Sequence, residues 1–240
     1  MLPYAAAVLA CAAAAAAAAD RHDAAAAPAA AFDSPRMTGF ASEVLGCFDI
    51  TGMGVALTGR DQTLYAEGIG LRDSEAQLPV GPDTTFSVAS TTKAWTTALT
   101  AVLIGEGYLP GWDAKVRDVI GGFALNDSIA SQLVTLRDLG AHKVGVPRND
   151  FLWQSGSANG VSRSELSERV RWFPSQHEMR QRYEYNNWMY MALGHAAEAA
   201  VADGSSWEEL LASRLSAPLG MGRTTASVDA AIASGNYAVP

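Results

Sequence analysis

Ser90 and Lys93 are the residues whose types and spacing could do chemistry. They bound the tetrad Ser90-Thr91-Thr92-Lys93 within the stretch 86–103, FSVASTTKAWTTALTAVL. An apolar series at helical spacing follows: Ala94, Trp95, Ala98, Leu99, Val102 and Leu103. Residues three and four apart share a helix face. The hydroxyl and the amine therefore stand one turn apart, at the start of a helix whose later turns are buried. A serine hydroxyl is a poor nucleophile until a neighbouring base takes its proton. An amine one turn away can be that base when burial and neighbours lower its pKa. The helix N-terminus adds N–H groups that favour negative charge near Ser90. The competing reading is an N-capping serine and a surface lysine, because four-residue matches arise by chance and depend on context. The chain has only three lysines, Lys93, Lys115 and Lys143, which makes one at this position less of a coincidence.

Other chemistries find less support. The four histidines, His22, His142, His177 and His195, are far apart. His177-Glu178 opens like a zinc-protease helix, but Gln181 stands where the second histidine belongs, so no zinc site is expected. Gly68 to Gly70 lacks the further glycine and following helix of a nucleotide-binding loop. Cys11 and Cys47 set no disulfide framework, and Cys47 loses its potential partner if the N-terminus is removed. Five arginines between Arg163 and Arg182 could bind an acidic group, but interspersed glutamates favour a salt-bridged face. A net charge of −8 argues against a nucleic-acid surface.

The 240 residues, 49% of them hydrophobic, suffice for one large domain or two small ones. Residues 1–31 form an alanine-rich, signal-like and low-complexity segment with an Ala-x-Ala exit near Ala19. Export is the expectation, with no other membrane span. Val8-Leu9-Ala10-Cys11 resembles a lipoprotein box, so a lipid anchor, like delivery to an organelle, is an alternative destination. Ser34-Pro35 predicts a helix start, with Phe40, Val44, Leu45 and Phe48 as its stripe. Gly54–Leu57 and Gln62–Ala66 read as a hairpin, ended by Gly68 to Gly70. Thr135 caps a helix over 136–141, Ser162 or Ser164 caps one to Trp172, and Asn186 or Asn187 caps one through Ala199. Ser206 to Glu209 is a capping box, and no terminal helix is evident.

Together these stretches resemble the serine β-lactamase and penicillin-binding-protein superfamily, in its class C-like branch, which includes the mitochondrial β-lactamase-like protein. Gly54 to Gly70 is similar to the family's first hairpin, and Pro82 to Phe86 with Ser90–Lys93 to its nucleophile segment. Val134-Thr135-Leu136-Arg137-Asp138-Leu139 with His142, Gly145 and Pro147 is similar to its next motif. Tyr185-Asn186-Asn187 sits at the place of its Tyr-x-Asn, and Pro218 to Met221 is similar to its helix exit. The likeness runs from about Phe32 to the C-terminus.

The resemblance implies an α+β fold, an antiparallel sheet flanked by helices, within a β-lactamase-related domain over 32–240. A helical subdomain is expected at about 89–204, and the sheet is expected to be incomplete. It implies Ser90 as the acyl-accepting nucleophile, Lys93 as the group taking its proton, Tyr185 as a second proton-transfer group, and Asn187 as a holder of the substrate amide or of Lys93. The implied activity is hydrolysis of an amide or ester, in a small molecule or peptide, through an acyl-enzyme and without cofactor or metal. The family's third motif, Lys or His followed by x-Gly, has no match after Asn187, and Lys143-Val144-Gly145 precedes the tyrosine in a loop. A catalytically inactive member, or a fragment, acting as a binding or assembly protein is therefore the alternative.

Overall fold

A computed structural model describes residues 32–152 and 160–239. The signal-like segment and any lipid anchor at Cys11 lie outside them. These residues fall into two compact units, 32–87 with 227–239 and Val88–Ala226.

In the first unit, helix α1 (Ser34–Phe48) precedes strands β1 (Gly52–Thr58), β2 (Thr63–Asp73) and β3 (Leu78–Pro79), and helix α9 (Val228–Ala233) returns near the C-terminus. Asp33, not Ser34, caps α1, its carboxylate accepting from Arg36 N–H at 3.0 Å. The three strands form an antiparallel sheet in the order β1-β2-β3. Ala41 and Leu45 of α1 pack on Ile69 of β2. β2 runs seven residues past the expected end at Ala66 because its glycines admit neighbours instead of ending the strand. A Cβ on Gly68 would lie 2.5 Å from the Val80 backbone, so only glycine lets that backbone approach. α9 is the terminal helix that the sequence did not announce. Thr85 pairs with Tyr237, and Ala238 N–H donates to Thr85 O at 2.9 Å. Cys47 is disulfide-bonded.

The second unit is helical. It contains α2 (Thr92–Gly105) after a 3₁₀ turn at Ala89–Thr91, then α3 (Val116–Val119), α4 (Ser128–Leu133) and α5 (Leu136–Gly140). α6 (Arg163–Arg169), α7 (Asn187–Val201) and α8 (Trp207–Leu211) follow, α8 continuing into a π-helical turn at Ala212–Ser216. The core joins Leu99 and Leu103 of α2 to Leu136 and Leu139 of α5 and to Trp188, Met189 and Leu193 of α7. Capping boxes open α5 at Thr135, α6 at Ser162 and α8 at Ser206. Each cap satisfies N–H groups that a helix start leaves open and contributes about 1 kcal/mol. No helix of the described residues is long and apolar enough to cross a membrane.

Candidate active site

Ser90 lies in the 3₁₀ turn that leads into α2, and Lys93 lies in the first turn of α2. Ala89, just before the serine, has φ +42°. That left-handed conformation disfavours a residue with a Cβ, and backbone strain of this kind concentrates at functional sites.

Tyr185 and Asn187 reach this turn because two loop segments run alongside each other. Glu184 N–H donates to His142 O at 2.8 Å, Arg180 N–H to Lys143 O at 2.6 Å, and Gln176 N–H to Gly145 O at 2.8 Å. Gly145 has φ +80°, and a Cβ there would lie 2.4 Å from His177 O. The Lys143–Gly145 triplet is thus part of this loop clasp. Asn186 then caps α7 and is 1% exposed. Its side-chain oxygen accepts from Trp188 N–H at 2.8 Å, and its Nδ2 donates to Val146 O at 2.8 Å and Pro147 O at 3.0 Å. Its backbone N–H donates to His142 Nδ1 at 3.0 Å. The side-chain amide and the backbone N–H of Asn186 are all committed, so the residues on either side of it are held in place.

The result brings all four candidates together. Ser90 Oγ and Tyr185 Oη share a hydrogen bond at 2.6 Å. Lys93 Nζ donates to Ser90 Oγ at 3.2 Å and to Asn187 Oδ1 at 2.6 Å. Lys93 Nζ also lies 4.7 Å from the Tyr185 ring centroid and 5.5 Å from that of Tyr190. Burial pushes the Tyr185 phenol up, but hydrogen bonds with Lys93 and Ser90, then the charges of Lys93 and Arg148, outweigh it and hold the pKa below the ordinary value.

Three contributors were not assigned roles from sequence. Asp150 Oδ1 accepts from Asn187 Nδ2 at 2.9 Å, which turns the Asn187 oxygen toward Lys93. Arg148 pairs with Asp150 and lies 5.0 Å from the Tyr185 ring centroid. Both sit in a loop without periodicity, which gave no signal. His142 forms the aromatic floor, its ring centroid 4.7 Å from Tyr185, 5.1 Å from Tyr190 and 5.2 Å from Tyr183. Burial, aided by the charge of Lys93, lowers its pKa to about 4. The available signal was its place in the 134–147 motif, without a role attached.

The remaining residues singled out from the sequence are engaged in other contacts. Asp138 is buried, completes the α5 capping box with Thr135, and takes two hydrogen bonds from Arg180, at 2.9 and 2.7 Å. Arg163 pairs with Glu198 and, at 2.7 Å, with Glu208. His195 is half-buried within α7, where burial lowers its pKa. Among the described residues no group of three His, Cys, Asp or Glu side chains could hold a metal ion.

This geometry can be set beside known proteins. The chain is 30% identical over 202 residues to the unguisins hydrolase ungD' of Aspergillus campestris, covering 80% of this chain and 36% of that protein. The chain thus spans about a third of the length of the first curated relatives it matches. Its fold is similar to that of the octameric penicillin-binding protein homologue from Pyrococcus abyssi, at a TM-score of 0.71 and 24% identity over 86% of this chain and 47% of that one. It is also similar to a class C beta lactamase from Rhodobacter sphaeroides, at a TM-score of 0.60 and 24% identity over 78% and 54%. The Beta-lactamase family model matches residues 40–240. The motif order, the mixed fold and this match agree: the chain belongs to the Beta-lactamase family, within the superfamily of serine β-lactamases and penicillin-binding proteins.

Proposed function

We propose that this chain hydrolyses an amide or ester through an acyl-enzyme on Ser90. One observation carries the reading: Ser90 Oγ is within hydrogen-bond reach of both Tyr185 Oη and Lys93 Nζ. Ser90 Oγ attacks the substrate carbonyl carbon while its proton passes to Tyr185 Oη, the nearer group. Lys93, held by Asn187, supplies the positive charge that favours an ionised tyrosine. The tetrahedral intermediate collapses as the carbonyl–leaving-group bond breaks, and Tyr185 returns the proton to the departing amine or alcohol. Water then attacks the ester on Ser90, gives its proton to Tyr185, and releases the acid as Ser90 is reprotonated. Splitting one hard hydrolysis into two steps is the advantage of a covalent intermediate. The relatives named as hydrolases support the class of reaction.

A fluorophosphonate probe and a fluorescent β-lactam test this reading. Covalent labelling of the wild type, abolished in Ser90→Ala, is the expected result. A wild-type protein that is folded by circular dichroism yet neither labels nor hydrolyses activated esters refutes the acyl-enzyme reading.

A further inference from the structure

A cavity of about 430 Å³ adjoins Ser90 and Lys93, in the range of small-molecule sites. One wall is the face of α2 that carries Lys93 and Thr96, three residues apart. The other is the face of α7 that carries Asn187, Met191 and Gly194. Arg163 and Trp207 also line it.

The polar groups of Thr96, Tyr190 and Arg163 along these walls are already committed. Thr96 Oγ1 donates to Thr92 O at 3.3 Å, and Tyr190 OH donates to Gly140 O at 2.9 Å. Arg163 is held by Glu198 and Glu208 and lies 5.6 Å from the Trp207 ring centroid. The Trp207 indole N–H has no partner among the described residues and is shielded from solvent. Gly194 lets this region close up: a Cβ there would lie 3.1 Å from Arg163 Cδ and 3.4 Å from Trp207 Cδ1. What the walls chiefly offer an occupant is the apolar surface of Met191, Trp207 and the Tyr190 ring.

We propose that this cavity receives the acyl chain of the substrate, an apolar alkyl or aryl-ended chain of medium length attached to the carbonyl that Ser90 attacks. The proposal rests on the acyl-enzyme reading. The acyl chain stays tethered to Ser90 through both steps, whereas the leaving group must depart. The part that needs a cavity contiguous with the nucleophile is therefore the acyl side.

The test compares kcat/KM for p-nitrophenyl acetate, butyrate, hexanoate and octanoate, and for acetate esters of lengthening alcohols. Acyl elongation raises kcat/KM by about fourfold per buried methylene until the cavity is full, and alcohol elongation does not. Met191→Trp collapses the hexanoate-to-acetate ratio, and Met191→Ala moves the optimum to a longer chain. Turnover that depends on Ser90 but ignores acyl length, or follows the alcohol instead, overturns this proposal while the acyl-enzyme stands. A readout independent of turnover is saturation-transfer NMR of octanoate with Ser90→Ala protein. Alkyl signals that disappear in Ser90→Ala/Met191→Trp support the cavity assignment even if no ester is hydrolysed. The absence of such signals with folded Ser90→Ala protein overturns it.

Discussion

Acidification tests how the site is held together, and His142 is the group to follow. Its Nδ1 accepts a hydrogen bond from Asn186 N–H, so folding selects a neutral ring with its proton on Nε2. The ring is 6% exposed, among three tyrosines and close enough to Lys93 to feel its charge. Its pKa falls from 6.5 to about 4. Because the folded value is depressed, the unfolded chain binds the proton more readily, and stability rises with pH across this window. The contribution is fully present above pH 6.5 and declines as pH falls toward 4. At 1.36 kcal/mol per pK unit it amounts to roughly 3 kcal/mol.

The assay is urea unfolding of wild type and His142→Gln at intervals from pH 7.5 to 4.5. Comparing the two chains cancels other groups that titrate in this range, His195 among them. The wild type should lose about 2–3 kcal/mol more than the variant between pH 7 and 4.5. Ester turnover should fall in the same window, since protonated His142 opposes the N–H of Asn186, between Tyr185 and Asn187. Parallel pH profiles for the two chains, or an NMR titration placing His142 near 6.5, would refute the reasoning.

Tyr185→Phe removes the hydroxyl at Ser90 but keeps the ring on His142; acylation should fall about 10²–10⁴-fold in stopped-flow assays, with folding retained by circular dichroism. At Ala89, left-handed geometry predicts the urea-stability order Gly at or above Ala, and Ala above Val, with Val costing about 1–2 kcal/mol. Asp138→Ala should cost about 2–3 kcal/mol in urea unfolding, through loss of the α5 cap and of the Arg180 hydrogen bonds. Burial pushes the Asp138 carboxyl up, but Arg180 and Thr135 outweigh it and hold its pKa below 3.8. Its stabilisation is therefore present above pH 3.8 and is lost as pH falls through the lower folded value. A wild-type chain that loses nothing relative to Asp138→Ala in strong acid would contradict that account.

Local chemistry was legible wherever neighbours in sequence are neighbours in space. Ser90 and Lys93 are one helical turn apart, and the capping boxes at Ser162 and Ser206 are written within four residues. The hairpin was legible from its alternation and turn, but not its length, because nothing local shows that Val80 packs over Gly68. Helix α9 was missed because six residues carry too little periodicity to stand out beside a terminal coil.

By itself, then, the sequence determined the nucleophile turn, the helix starts at Thr135, Ser162 and Ser206 and, through the order of its motifs, the family. Only the tertiary structure decided which atoms meet. Ser90 and Tyr185 lie 95 residues apart, and their 2.6 Å contact depends on the clasp between residues 142–145 and 176–184. Asp150 orients Asn187 from across 37 residues, and His142 supports Asn186 from across 44. These contacts follow no sequence period, since hydrogen-bond geometry and burial select them after the helices have packed.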